Sequence, residues 1–124
     1  MLTGKRVLLV DDTKTVLMFT KMIFADTRAE LATAGNGVEA LKSAASFCPH
    51  LILMDIKMPE MDGIEACRLL KADPATREIP ILMVTTKGEE EMIEKAFAAG
   101  CNGYLTKPIN KMDLISKIKS LNIG

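Results

Sequence analysis

The sequence predicts an α/β domain, a five-stranded parallel sheet covered by helices on both faces. Three observations carry this prediction. Residues 6–10 (RVLLV), 51–54 (LILM) and 80–84 (PILMV) are short continuous apolar runs, the pattern of strands buried on both faces rather than on one. Between them lie segments whose apolar residues recur at helical spacing. The two kinds of segment alternate along the chain with no linker, low-complexity tract or internal repeat, and alternation with right-handed crossovers builds a parallel sheet.

Each element has its own signal. The first strand, 6–10, leads to a helix that begins near Thr13 and carries Val16, Phe19 and Ile23 on one face. A weaker run at 29–34 (AELATA) reads as a less buried edge strand. Asn36-Gly37 could turn a hairpin, but Val38-Glu39-Ala40-Leu41 continues as a helix, so a strand-to-helix turn with Asn36 as cap is expected. The third strand, 51–54, is followed by a helix starting at Asp62, where Glu65 three residues on resembles a capping box. After the fourth strand, 80–84, residues 89–99 place Met92, Ile93, Ala96 and Phe97 on one face and stop at Gly100, a suitable C-cap. A second weak run, 103–106 (GYLT), is the other edge strand. A final helix from Asn110 carries Leu114, Ile115, Ile118 and Leu121.

Composition removes several function classes. The 124 residues suit one domain, 1–124. Lys plus Arg equals Asp plus Glu at 16 each, so no basic field points to direct nucleic-acid binding. The longest apolar runs are too short to span a bilayer, the N-terminus lacks a signal-peptide core, and no membrane role is expected. Cys48, Cys67 and Cys101 are odd in number and scattered, with one His in the chain, which argues for buried reduced thiols and a reducing cytoplasm rather than disulfides or zinc. The nine methionines read as core fillers.

The residues at the strand ends carry the chemistry. Asp11 and Asp12 follow the first strand, Asp55 the third, Thr85 the fourth and Lys107 the fifth. In open parallel sheets this is the edge where ligands bind. Each residue alone has a bland reading: a strand-end Asp caps helices, Thr suits any strand, and Lys solvates surfaces. Three converging carboxylates are different, because each pair repels by about 4 kcal/mol at 4 Å with an effective dielectric of 20. A cation must hold them together. All-oxygen ligands without His or Cys select a hard ion, and carboxylates combined with phosphate oxygens suit Mg²⁺. Lys107 adds a mobile positive charge and Thr85 a hydroxyl donor, which together make a phosphoryl-handling site.

These residues resemble a receiver domain of the two-component response regulators, of the chemotaxis-regulator type. The likeness rests on Asp11-Asp12, on Asp55 followed by "MPEMDG", on Thr85, and on "YLTKP" with Lys107-Pro108, and it spans residues 5 to about 121. It implies a flavodoxin-like (βα)5 fold with strand order 2-1-3-4-5. It also implies that Asp55 is the phosphoacceptor, phosphorylated by a histidine kinase or phosphotransfer protein. Asp12, Asp55 and the backbone carbonyl of Lys57 would hold Mg²⁺, with Asp11 acting through water. Thr85 would turn towards the phosphate and draw Tyr104 inward, Lys107 would bridge to the phosphate, and the Lys107-Pro108 bond is expected to be cis. The protein is then a signalling phosphoacceptor that assists its own turnover rather than an enzyme. A downstream protein would read the face of helix 4, strand 5 and helix 5, here with Glu89, Glu90, Glu91, Lys95 and Lys111, although the Glu run also suits a solvated helix start.

Three positions depart from the family's common pattern. Lys57 and Lys87 lie where turnover is tuned; neither ammonium can orient an attacking water, and the charge of Lys57 favours a phosphoryl dianion, so a long-lived aspartyl phosphate is expected. Thr86 stands where a small residue is usual, and its β-branch could narrow access to Asp55. His50 is no relay residue, since five strand residues at about 3.3 Å each put it roughly 16 Å from Asp55. A magnesium phosphatase of the haloacid dehalogenase type would want Asp at position 57, which is Lys. A flavin-binding module would not place two carboxylates ("VDDTKT") where the flavin phosphate sits. Met1 and the stop after the fifth helix favour a stand-alone regulator; the alternative is the receiver piece of a larger regulator or hybrid kinase.

Overall fold

The computed structural model describes residues 2–89 and 91–123. Within them β1 (Arg6–Val10), β2 (Glu30–Ala34), β3 (Leu51–Asp55), β4 (Ile81–Thr86) and β5 (Gly103–Lys107) alternate with α1 (Lys14–Phe24), α2 (Gly37–Phe47), α3 (Gly63–Ala72), α4 (Glu91–Ala98) and α5 (Lys111–Ser120). All pairings are parallel, in the order β2-β1-β3-β4-β5. The predicted architecture and strand order hold. The strands run slightly further than the apolar runs: Asp55 and Lys107 are the last residues of β3 and β5, and Thr85 is the last but one of β4, rather than following them.

Strand periodicity sorts the core into two layers, because successive side chains point to opposite faces. Leu8, Val10, Ile52, Met54, Ile81 and Met83 face a layer with Ala40, Ala44, Ala66, Cys67, Leu70 and Ala96 from α2, α3 and α4. Val7, Leu9, Leu51, Leu53, Leu82 and Val84 face the other, against Phe24, Leu114 and Ile118 from α1 and α5. Each fully buried aliphatic side chain contributes about 1.5–3 kcal/mol. The central β3 is buried throughout, whereas β2 and β5 are partly exposed edge strands, as their weaker runs predict.

The caps hold with two corrections. Asn36 accepts from the Glu39 amide, Asp62 from the Glu65 amide and Asn110 from those of Met112 and Asp113. Thr13 makes no side-chain cap; its amide instead donates to Asp11 Oδ1 at 2.9 Å. The box at α3 is half made, since the Glu65 carboxylate turns outward to Arg68, where two charged nitrogens outcompete one amide. Helix α4 is shorter than 89–99, and Glu90 lies outside the described residues. Gly100 ends it at φ +105°, a left-handed value that costs glycine little, and the Cys101 amide donates back to the Ala96 carbonyl. Phe97, expected on the buried face, is 48 % exposed.

The three thiols are free, but Cys48 is exposed, a second correction to the expected buried set. It terminates α2 in a left-handed conformation, with its side chain at the surface. Burial pushes the Cys67 thiol up to about 11, so it stays protonated and inert. His50 sits at the opposite edge of the sheet from Asp55, its Nδ1 accepting the Arg6 amide at 3.0 Å and its own amide donating to the Arg6 carbonyl at 2.7 Å. That arrangement requires the neutral ring with its proton on Nε2. Among the described residues no helix is long and apolar enough to cross a membrane.

Candidate functional site

The site lies at the carboxyl edge of the sheet, where the winding reverses between β1 and β3. β1 delivers Asp11 and Asp12 just past its last residue, and β3 ends on Asp55, whose register partner in β4 is Val84, next to Thr85. β5 delivers Lys107 beside Thr86. The Lys107-Pro108 peptide bond is cis.

Asp11 and Asp55 are buried while Asp12 is exposed, and one carboxylate oxygen from each lies within 4.8 Å of the others. Lys107 Nζ bridges the buried pair, 3.0 Å from Asp11 Oδ2 and 3.4 Å from Asp55 Oδ2. Burial works against the Lys107 ammonium, but Asp11 and Asp55 together outweigh it and raise its pKa. For Asp55 the balance goes the other way: burial first, then the Asp11 charge, push it up to about 6 despite Lys107. One lysine cannot neutralise this cluster. Its donors are all oxygen, which fits a hard divalent cation such as Mg²⁺, and a groove of about 500 Å³ lined by Asp11, Asp12, Lys14 and Thr33 opens onto it.

The raised Asp55 has a measurable consequence. A group bound more tightly to its proton in the folded state stabilises the fold fully only below its unfolded value of 3.8, and that contribution is lost as pH rises through about 6. At pH 7.5 without divalent ions, the ionised Asp55 therefore destabilises the native protein. Asp55→Asn is expected to be more stable there by on the order of 2 kcal/mol, raising Tm by roughly 5–10 °C. The advantage shrinks as pH falls towards 4. Thermal melts in EDTA check this, and a lower Tm for the variant at pH 7.5 contradicts it.

Thr85 is buried, and its hydroxyl donates a long 3.4 Å bond to the Thr86 carbonyl. Tyr104 is half-buried, edge-on to Phe97 at 6.4 Å between ring centroids, with the Lys117 ammonium 5.6 Å from its own ring centre. Lys87 is exposed in the loop after β4. Of the expected docking-face residues, Lys111 is drawn away to Asp26 at 2.6 Å, which holds that carboxyl below the usual range.

One contact was not legible from spacing. The Lys57 side chain is 70 % exposed and its ammonium pairs with Glu89 rather than with Asp55, whose ion-pair partner is Lys107. The Lys57 ammonium holds the Glu89 carboxyl below the ordinary range, with smaller help from the Thr86 hydroxyl and the Lys107 charge. Lys57 and Glu89 are 32 residues apart on different loops, and only the sheet brings them together.

Comparison with known proteins agrees with this geometry. Residues 7–119 match the family model of the response regulator receiver domain. The chain is 41 % identical over 118 residues to chemotaxis protein CheY of Halobacterium salinarum, covering 93 % of this chain and 97 % of that protein. It is 38 % identical over 117 residues to response regulator PleD of Caulobacter vibrioides, covering 94 % of this chain but 26 % of PleD, so it spans about a quarter of that relative's length. Among solved structures, the receiver domain of a sensor histidine kinase from Pseudomonas aeruginosa, with a magnesium ion coordinated in its active site cleft, matches with a TM-score of 0.87 at 27 % identity, covering 96 % of this chain and 98 % of that one.

Proposed function

The chain belongs to the response regulator receiver family, and from that premise we propose that Asp55 accepts a phosphoryl group from the phosphohistidine of a histidine kinase or phosphotransfer protein and thereby switches binding of a downstream protein. The observation that carries this reading is the buried Asp11–Asp55 pair bridged by Lys107, with Asp12 beside it at the sheet's binding edge. The test is transfer of label from a phosphorylated donor in Mg²⁺, with label expected on the wild type and absent from Asp55→Asn.

An Asp55 carboxylate oxygen attacks phosphorus as the bond to the histidine nitrogen breaks; the electron pair leaves with the imidazole, which takes up a proton. Lys107, placed between the two carboxylates, neutralises charge on the transferring group. Asp12, Asp55 and the carbonyl of Lys57 would hold Mg²⁺, with Asp11 acting through water, and the ion when bound supplies charge neutralisation at the phosphoryl oxygens. The weak Thr85 bond to the Thr86 carbonyl is easily exchanged for a phosphoryl oxygen. Tyr104 then follows Thr85 inward, which changes the α4–β5–α5 face that a partner reads, a population shift driven by the new charge.

Lys57 and Lys87 remain the residues proposed to tune turnover. Lys57→Asn is expected to shorten the half-life of the aspartyl phosphate by roughly two- to fivefold, the equivalent of one exposed charge contact. Following loss of label after donor removal measures it, and slower decay in the variant would count against it.

A further inference from the structure

The contact between Lys57 and Glu89 joins two loops that both flank Asp55. Lys57 lies two residues after Asp55, and Glu89 lies in the loop between β4 and α4. The Glu89 amide donates to the Thr86 carbonyl at 3.1 Å, at the end of β4, and the Glu89 carbonyl accepts the Met92 amide at 3.0 Å, in the first turn of α4. Glu89 is thus tied by its backbone to β4 and α4, and by its side chain to Lys57. Further along α4, Phe97 rests edge-on against Tyr104.

From this arrangement we propose that Glu89 is a positioning residue that parks the Lys57 ammonium away from Asp55, and that a phosphoryl group on Asp55 takes Lys57 from it, releasing the start of α4. This deepens the phosphoacceptor reading and rests on it. The competition is uneven in the required direction. A phosphoryl group carries about −1.5 to −2 charges and several strong acceptor oxygens, against one charge on Glu89. The existing pair is loose at its lysine end, since the Lys57 side chain is 70 % exposed on a long, flexible stem while that of Glu89 is 23 % exposed and largely covered. Release of Glu89 acts on the backbone of the first turn of α4, the helix that carries Phe97 to Tyr104. Phosphorylation thereby reaches the output face by a second route, through Glu89 and the start of α4, which meets the Thr85 route at the Thr86 carbonyl.

A double-mutant cycle on aspartyl phosphate lifetime separates this role from a structural one. Wild type, Glu89→Gln, Lys57→Met and the double variant are labelled by the same phosphodonor in Mg²⁺, and decay is followed after its removal. Glu89→Gln alone is expected to lengthen the lifetime roughly two- to fivefold, because Lys57 is free to pair with the phosphoryl group. In the Lys57→Met background the same change should leave the lifetime unaltered. An equal effect in both backgrounds, or no effect in either, overturns the proposal while leaving Asp55 as phosphoacceptor. Melting temperatures run beside the decays identify a structural role, which would lower Tm without regard to residue 57. Absence of label on the wild type overturns the phosphoacceptor reading and this proposal with it, since no competing dianion then arises at Asp55.

Discussion

Asp55→Asn is expected to lower phosphoryl acceptance by at least about a thousandfold, to the level of unreacted background. The amide oxygen is nearly isosteric with the carboxylate but carries no charge and is a poor nucleophile, so the substitution removes chemistry and little else. Misfolding does not account for such a loss, because the same variant is expected to melt higher than wild type at pH 7.5 without divalent ions. Asp55 is nearly buried and pushed up to about 6 by burial and by Asp11, so removing its charge relieves the cluster. The two measurements on one variant oppose each other in sign, and a general destabilisation cannot produce that pair. Undiminished labelling would refute the assignment of Asp55.

Gly63→Ala is expected to destabilise the fold by about 3 kcal/mol, at the upper end for overpacking, and to lower Tm by roughly 10 °C. A Cβ at this position would lie 2.1 Å from the Asp55 carbonyl oxygen and 2.8 Å from Met83 Cε. The methionine can move, but the Asp55 backbone cannot without shifting the phosphoacceptor itself. The Gly63 amide also donates to the Ile56 carbonyl at 2.7 Å, holding the start of α3 against the end of β3. Gly35→Ala is the control, since its Cβ would meet only the flexible Glu39 carboxylate, at 3.4 Å. Denaturant melts of the two variants test the difference, and equal stabilities would show that α3 can move off β3 at little cost.

The sheet was legible because each central strand is buried on both faces, and burial on both faces leaves a continuous apolar run that needs no partner to be recognised. The same logic placed Asp11, Asp12, Asp55, Thr85 and Lys107 on one edge, since parallel strands end together. Helix ends were legible where a short polar side chain caps its own turn, as at Asn36, Asp62 and Asn110, because capping is local. The expectation for Glu65 went only half way, since its carboxylate had a guanidinium one turn along as a competing partner.

By itself, the sequence determined the order of strands and helices, the edge on which the carboxylates gather and the kind of ion they suit, because these follow from periodicity and from the chemistry of each residue type. The strand order itself came with the family resemblance. Only the tertiary structure decided how charge is shared within that edge: Lys107 bridges Asp11 and Asp55, burial raises Asp55, and Lys57 pairs with Glu89. It also decided that Gly63, the first residue of α3, is a point of contact with the Asp55 backbone. The reason is that pairing and burial depend on distances between residues far apart in the chain, whereas periodicity and capping depend on residues a few positions away.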